Sequence, residues 1–185
     1  MRIITGTARG RKLAAPAGEE CRPTSDRVKE SIFSIIQFDI EGRRVLDLYA
    51  GSGQLGIEAL SRGAASAVFV DQSKACAAVI RENLAHAQLE TNASVRSQEA
   101  LSFLASGPGR FDLVFCDPPF STDLLRKTIR RVAEFDILAE GGIMVCEAGS
   151  DFNAPAMEEP YKTGREYAYG SRKIMLIHRN AGETT

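Results

Sequence analysis

The sequence is poor in the residues that most often build metal centres and nucleophilic triads. It has only two histidines, His86 and His178, and neither falls in a stretch that reads as a site loop. Its four cysteines, Cys21, Cys76, Cys116 and Cys146, form no CxxC pair and have no histidine nearby. These spacings argue against a structural metal, a disulfide framework and Ser-His-Asp or Cys-His catalysis. Cys76, Cys116 and Cys146 lie in apolar runs, where a free thiol packs as a small hydrophobe. No apolar run approaches the roughly 20 residues that span a bilayer. The N-terminal "MRIITGTARGRK" has no apolar signal-peptide core, so the cytoplasm is the expected compartment. No repeat, low-complexity tract or linker divides the 185 residues, a length that suits one domain.

Charge of either sign is not in excess overall, the net value being −1, but it is unevenly placed. Arg2, Arg9, Arg11 and Lys12 come before any acid, and Arg22, Arg27 and Lys29 follow soon after. A basic patch on a near-neutral chain suits a polyanion held at one face, although a solvated surface gives the same pattern.

The remaining sequence alternates. "RIIT" and "RKLAAP", joined through Gly6 and Gly10, read as a β-hairpin. Residues 25–38 read as a helix, with Ser25 as N-cap, Asp26 in the first turn and Val28, Ile32, Ile35 and Ile36 on one face. Strands are expected at 44–50, 67–71, 93–97, 111–117 and 142–148. Helices are expected at about 54–62, 73–87, 99–105 and 122–135, and in the second of these Cys76, Val79, Ile80, Leu84 and Ala87 form a stripe. Near-continuous apolar strands, each followed by a helix, predict an α/β fold with a parallel sheet covered on both faces. "YKTGREYAYG" and "SRKIMLIHR" break that rhythm and read as two antiparallel strands, with Gly170 near a turn or bulge.

"DLYAGSGQLGIEAL" places Gly51, Gly53 and Gly56 between a strand and a helix, formally a GxGxxG loop. Glycines there allow a tight turn and close backbone approach to a ligand. Asp71 ends the next strand, where a carboxylate can accept from both ribose hydroxyls. Both features indicate an adenosine-type cofactor without saying which. Asp47, ahead of the glycines, suits an ammonium group and has nothing to offer a pyrophosphate. One sheet with no separate hydride-transfer domain, and a fourth strand ending in "DPPF", also favour S-adenosylmethionine over NAD.

With these residues assembled, the chain resembles the class I S-adenosylmethionine-dependent methyltransferases through "DLYAGSG", "VDQS", "QEAL" and "DPPF". More narrowly, "MRIITGTARGRKLAAP", "RPTSDRVKESIF", "LSRGAA" and the late "YG" resemble the bacterial 16S rRNA (guanine-N2)-methyltransferases of the guanine 966 type over nearly the full length. The resemblance implies a Rossmann-like, seven-stranded, mostly parallel sheet with strand seven antiparallel, built from a 1–40 extension and a 41–185 catalytic core. It implies that Asp47, Tyr49 and the Gly51–Ser52–Gly53 loop hold the methionine end, that Asp71 binds the ribose and that Gln72 lies beside the adenine. The third motif departs from the family's usual Gly-Asp-Ala: it is Gln98-Glu99-Ala100, and Glu99 is expected to accept from the adenine amino group. The fourth ends in Phe120 where tyrosine is frequent.

"DPPF" suits methylation of an amino group. An exocyclic amine on a nucleobase is a poor nucleophile because its lone pair is delocalised. Acceptors aimed at its N–H groups favour the pyramidal geometry that attack needs. Asp117 and the Pro118 carbonyl are the expected acceptors, and Phe120 a surface on which an unstacked base lies. Arg9, Arg11, Lys12 and Arg22 are candidates to grip phosphates of the RNA. The expected partner is 16S rRNA in the small ribosomal subunit or an assembly intermediate, bound by a monomer. Three alternatives stay open: an adenine-N6 methyltransferase, an NAD-dependent oxidoreductase and a non-catalytic assembly factor.

Overall fold

A computed structural model describes residues 1–16, 26–119 and 123–182. Ser25, Arg22, Cys21 and Phe120 lie outside the described residues. Strands β1 (Arg44–Leu48), β2 (Ser66–Asp71), β3 (Ala93–Ser97), β4 (Phe111–Cys116) and β5 (Leu138–Gly149) alternate with helices α2 (Gln54–Ser61), α3 (Lys74–Ala87), α4 (Ala100–Ala105) and α5 (Leu124–Glu134). Helix α1 (Asp26–Ile35) precedes them, and β6 (Tyr161–Tyr169) and β7 (Arg172–Arg179) close the chain. The sheet has seven strands in the order β3-β2-β1-β4-β5-β7-β6. β1 to β5 are parallel, and β7 enters antiparallel between β5 and β6. The expected fold class therefore holds.

Alternation along each strand builds two cores. In β1, Val45 faces one side with Leu113, Phe115, Phe69 and Ile80. Leu46 and Leu48 face the other with Val114, Met144, Ile129 and Val132. α1, α2 and α3 cover the first face: Phe33 of α1 lies 5.6 Å from the Phe115 ring. α4 and α5 cover the second. The path runs outward from β1 to β3, then returns to the other side of β1 for β4. That reversal opens a crevice outside the carboxyl ends of β1 and β4, where open α/β sheets take ligands.

One expectation changes. β5 starts at Leu138, four residues before the expected Gly142. Its early part bends at Gly141 (φ 69°) and shifts register against β4 between Phe111 and Leu113, so no apolar run announces it. The N-terminal hairpin forms as expected: Arg2 and Lys12 make an antiparallel bridge, and across it the Ile3 amide donates to the Arg11 carbonyl (3.0 Å), the Gly10 amide to the Ile3 carbonyl (2.8 Å) and the Leu13 amide to the Met1 carbonyl (3.1 Å). Its turn also bonds to α2: the Thr7 amide donates to the Ser61 carbonyl at 2.8 Å and the Ala8 amide to Ser61 Oγ at 3.0 Å. Gly6 (φ 87°) lies so close that a Cβ would sit 1.8 Å from the Ser61 carbonyl oxygen.

The anchor of that segment is Glu58 on α2, whose side chain is fully buried. Its oxygens accept from the amides of Ile4 (2.7 Å) and Thr5 (3.0 Å) and from Arg62 Nε (2.8 Å). Lys29 Nζ of α1, equally buried, stands 3.9 Å away and donates to the Arg2 carbonyl at 2.5 Å. Burial lowers the Lys29 pKa, and Glu58 acts against that shift. Removing one partner of a buried ion pair typically costs about 3–5 kcal/mol because the other charge is stranded. Glu58→Ala is accordingly expected to lower unfolding stability by about that much, measured as a reduced urea midpoint at unchanged slope.

Candidate functional site

The turn after β1 makes the crevice floor. Tyr49, Gly51 and Gly53 all take positive φ (59°, 54° and 77°), so the chain reverses within a few residues and enters α2 at Gln54. The glycines do different work. A Cβ on Gly51 would meet nothing within 4 Å, so the loop is open there. A Cβ on Gly56 would fall 2.3 Å from the Phe69 ring, so that glycine serves helix–sheet packing. Ser52 is buried, its carbonyl accepting from Asn83 Nδ2 at 2.9 Å and its Oγ 3.5 Å from Met1 Sδ.

Carboxylates line this turn. Asp71, at the end of β2, accepts from the Gly51 amide (2.8 Å) and the Ser73 amide (2.9 Å), which fixes both oxygens beside the loop. Asp47, at 2% exposure, accepts from the Gly56 amide at 2.9 Å. Burial pushes its pKa up to about 8; the Gly56 bond opposes this, while the charges of Asp117 and Asp71 add to it. Asp117 follows the last residue of β4 and is half-buried, Pro118 is buried and Pro119 exposed. The structure thus gathers Asp47, Gly51, Gly53, Asp71, Asp117 and Pro118 at one edge.

Two expected cofactor residues have other engagements. The Tyr49 hydroxyl is 2.7 Å from Thr128 Oγ1, which itself donates to the Leu124 carbonyl, so the phenol is the donor and is tied to α5. Burial pushes the Tyr49 pKa up. Glu99 is the N-cap of α4, accepting from the Leu101 amide (3.1 Å), the Ser102 amide (2.7 Å) and Ser102 Oγ (2.8 Å). Burial opposes its charge, but the Ser102 hydroxyl and the two amides outweigh it and hold the pKa low. The longer side chain in the third motif thus finds a local role as a helix cap. Ala100 is the buried first residue of α4, and Gln72 is exposed just beyond Asp71.

Among the described residues, the basic candidates Arg9, Arg11 and Lys12 do not cluster at this edge. α2 and α3 carry the chain back toward the amino edge, and Thr7, Ala8 and Arg11 attach to their far ends. Arg11 donates to the His86 carbonyl (2.6 Å) and Gln88 Oε1 (2.7 Å), closing the C-terminus of α3. Arg9 is exposed near it, while Lys12 and Arg2 are exposed at the bridge.

Sequence reasoning missed two groups. Asn83 interrupts an apolar helical stripe, yet it bonds Ala14 and Ser52 and so ties the N-terminal segment to the turn. Glu147 ends the apolar run of β5 at 2% exposure; one oxygen bonds Arg172 Nη1 and the other, Oε2, has no hydrogen-bond partner among the described residues. An acid inside "IMVCEAG" was the available signal.

Comparison with known proteins agrees with this architecture. A family model described as conserved hypothetical protein 95 matches residues 1–178. The chain is 37% identical over 181 residues to ribosomal RNA small subunit methyltransferase D of Escherichia coli, covering 98% of this chain and 91% of that one. Its counterpart of the same name in Haemophilus influenzae is 38% identical over 154 residues, covering 82% and 80%. The solved structure of yhhF from Escherichia coli superposes with a TM-score of 0.86 at 37% identity over 98% of each chain. This protein belongs to the conserved hypothetical protein 95 family, to which the ribosomal RNA small subunit methyltransferases D are close in sequence along nearly its whole length.

Proposed function

We propose that the chain transfers a methyl group from S-adenosyl-L-methionine to the exocyclic N2 of a guanine in small-subunit 16S rRNA. The observation that carries this reading is the convergence of Asp47, Asp71 and Asp117 around an open glycine turn, with Asp47 desolvated enough to raise its pKa to about 8. Such a donor-poor, acid-rich edge fits a ligand bearing an ammonium, a sulfonium and a ribose. The names of the relatives supply the substrate class. S-adenosylmethionine, when bound, supplies an electrophilic methyl on positive sulfur. Asp47 faces its ammonium and Asp71 its ribose hydroxyls, with the Gly51–Gly53 backbone between.

At the end of β4, Asp117 and the Pro118 carbonyl accept from the two N–H groups of the target amine. That holds the nitrogen lone pair toward the methyl group. The amine becomes strongly acidic once methylated, so Asp117 need not be a strong base, and the proton leaves late, to Asp117 or to water. Phe120 supplies a ring for the unstacked base. The chain is read as one domain, a 1–40 extension on a 41–185 core, that works as a cytoplasmic monomer on the subunit or an assembly intermediate. Arg9, Lys12 and Arg22 are the proposed phosphate contacts, with Arg11 holding the segment that carries Arg9 and Lys12.

Incubation with S-adenosylmethionine and unmodified small subunits, followed by nucleoside mass spectrometry, is expected to yield N2-methylguanosine; N6-methyladenosine would refute the guanine assignment. Asp117→Ala is expected to slow transfer at least about a hundredfold while cofactor affinity changes little. Loss of cofactor binding as well would place Asp117 in the cofactor pocket.

Asp47→Asn keeps an acceptor for the Gly56 amide but removes the charge. Cofactor affinity, read by calorimetry, is expected to fall about ten- to a hundredfold, the scale of one charge-assisted hydrogen bond. Without cofactor the sign differs. Because folding raises the Asp47 pKa from 3.8 to about 8, the native state keeps a proton that the unfolded chain has lost between those values. The contribution of this group to stability therefore falls as pH rises through that window. Urea titrations from pH 4 to pH 8 should show a smaller decline for the asparagine variant than for the wild type.

A further inference from the structure

Register extends the acidic edge past the residues used so far. β4 and β5 are parallel with Cys116 beside Cys146, so Asp117 and Glu147 come next on neighbouring strands, roughly 4.8 Å apart at the backbone. Phe115 and Val145 share the first core face, and the period of two puts Asp117 and Glu147 on that face as well. On β7, Arg172 stands diagonally from Glu147, since Glu147 pairs with Ile174 and Gly149 with Arg172. Tyr169 of β6 is opposite Arg172 and packs on the same core. Across β4, β5, β7 and β6 the carboxyl edge thus presents an acid, a second acid, a guanidinium and a ring.

Glu147 is the unexplained member. It is 2% exposed, its Oε1 is hydrogen-bonded to Arg172 Nη1, and its Oε2 lacks a hydrogen-bond partner among the described residues. A buried carboxylate oxygen without a hydrogen bond is rare and costly, and a ligand that completes it is the ready explanation. We infer that Glu147 reads the target base, its Oε2 accepting the ring N1–H of guanine while Asp117 holds the adjacent amino group. This rests on the guanine-N2 reading and gives that reading a structural cause. In guanine the ring nitrogen next to the exocyclic amine carries a hydrogen. In adenine the corresponding nitrogen presents a lone pair, which a carboxylate repels. Arg172 fixes the orientation of Glu147, so the discrimination is built on two paired strands and not on a loop.

The test uses 2-aminopurine, which keeps the reacting 2-amino group but has neither N1–H nor O6. Small subunits are reconstituted with RNA carrying guanine or 2-aminopurine at the target, and single-turnover methylation is compared. The wild type is expected to prefer guanine by at least about a hundredfold, as sites built around an N–H reject analogues lacking it. Glu147→Gln can present its amide N–H to the bare N1, so the preference is expected to shrink at least about tenfold, with S-adenosylmethionine affinity unchanged. Equal wild-type rates on the two bases would overturn the inference without any variant. So would a Glu147→Gln enzyme slowed by the same factor on both, which is the mark of a merely structural role. Failure of the wild type to methylate guanine at all would instead refute the parent assignment.

Discussion

A carboxylate with no access to water, that of Glu58, holds three parts of the chain to one point. Its desolvation would be prohibitive alone, and it is offset only because the Ile4 and Thr5 amides, Arg62 and Lys29 all converge on it. None of these can leave without depriving the buried Glu58 carboxylate of a donor or a counter-charge. The N-terminal segment is therefore part of the wall of the protein. With that segment locked, Met1 rests by Ser52, and Ala14 shares Asn83 with the Ser52 carbonyl. The turn that opens onto the crevice is braced from beneath by residues at the far end of the sequence.

This bracing alters the meaning of the basic N-terminus. A flexible cationic arm and a docked one carry the same charge but present it differently. Here the backbone of Ile4, Thr5, Thr7 and Ala8 is committed to Glu58 and Ser61, and Arg11 closes a helix end. The exposed cations Arg2, Arg9 and Lys12 are consequently held on a fixed surface that runs from the bridge toward the amino edge. A polyanion gripped there and also reaching the carboxyl edge would have to extend along the first face of the sheet. That suits a substrate with its own tertiary structure better than a short single strand.

The elements that follow a repeating pattern were legible from sequence: β1 to β4 and the helices between them lie within a few residues of expectation, because apolar period and glycine position both mark them. So were Asp47, Gly51, Gly53, Asp71, Asp117 and Pro118 as members of one edge, since each ends or follows a parallel strand. What escaped was decided by contacts and bends outside the repeating pattern, some local and some long-range. The hairpin expected at the N-terminus forms, but nothing in its sequence announces that its turn is tied to Ser61, a partner more than fifty residues away. The onset of β5 was hidden by a glycine bend, and Glu99 proved to cap its own helix. Glu147 acquires its meaning only through the register that sets it beside Asp117 and the insertion of β7 that brings Arg172 to it.

The two buried acids of the carboxyl edge are prepared in opposite electrostatic states. Asp47 receives an amide hydrogen bond and is crowded by Asp71 and Asp117, so its charge is costly until a cation arrives. A carboxylate in that condition gains more from an ammonium than one already neutralised, because binding relieves the desolvation that burial imposed. Glu147 has a resident guanidinium instead. A neutral base brings no charge to offset the burial of a carboxylate, so an acid that reads such a base needs a resident counterion. Cofactor and base thus impose different requirements on chemically similar groups. The fold meets both by placing one acid between two other acids on β1 and the second beside the antiparallel strand that delivers an arginine.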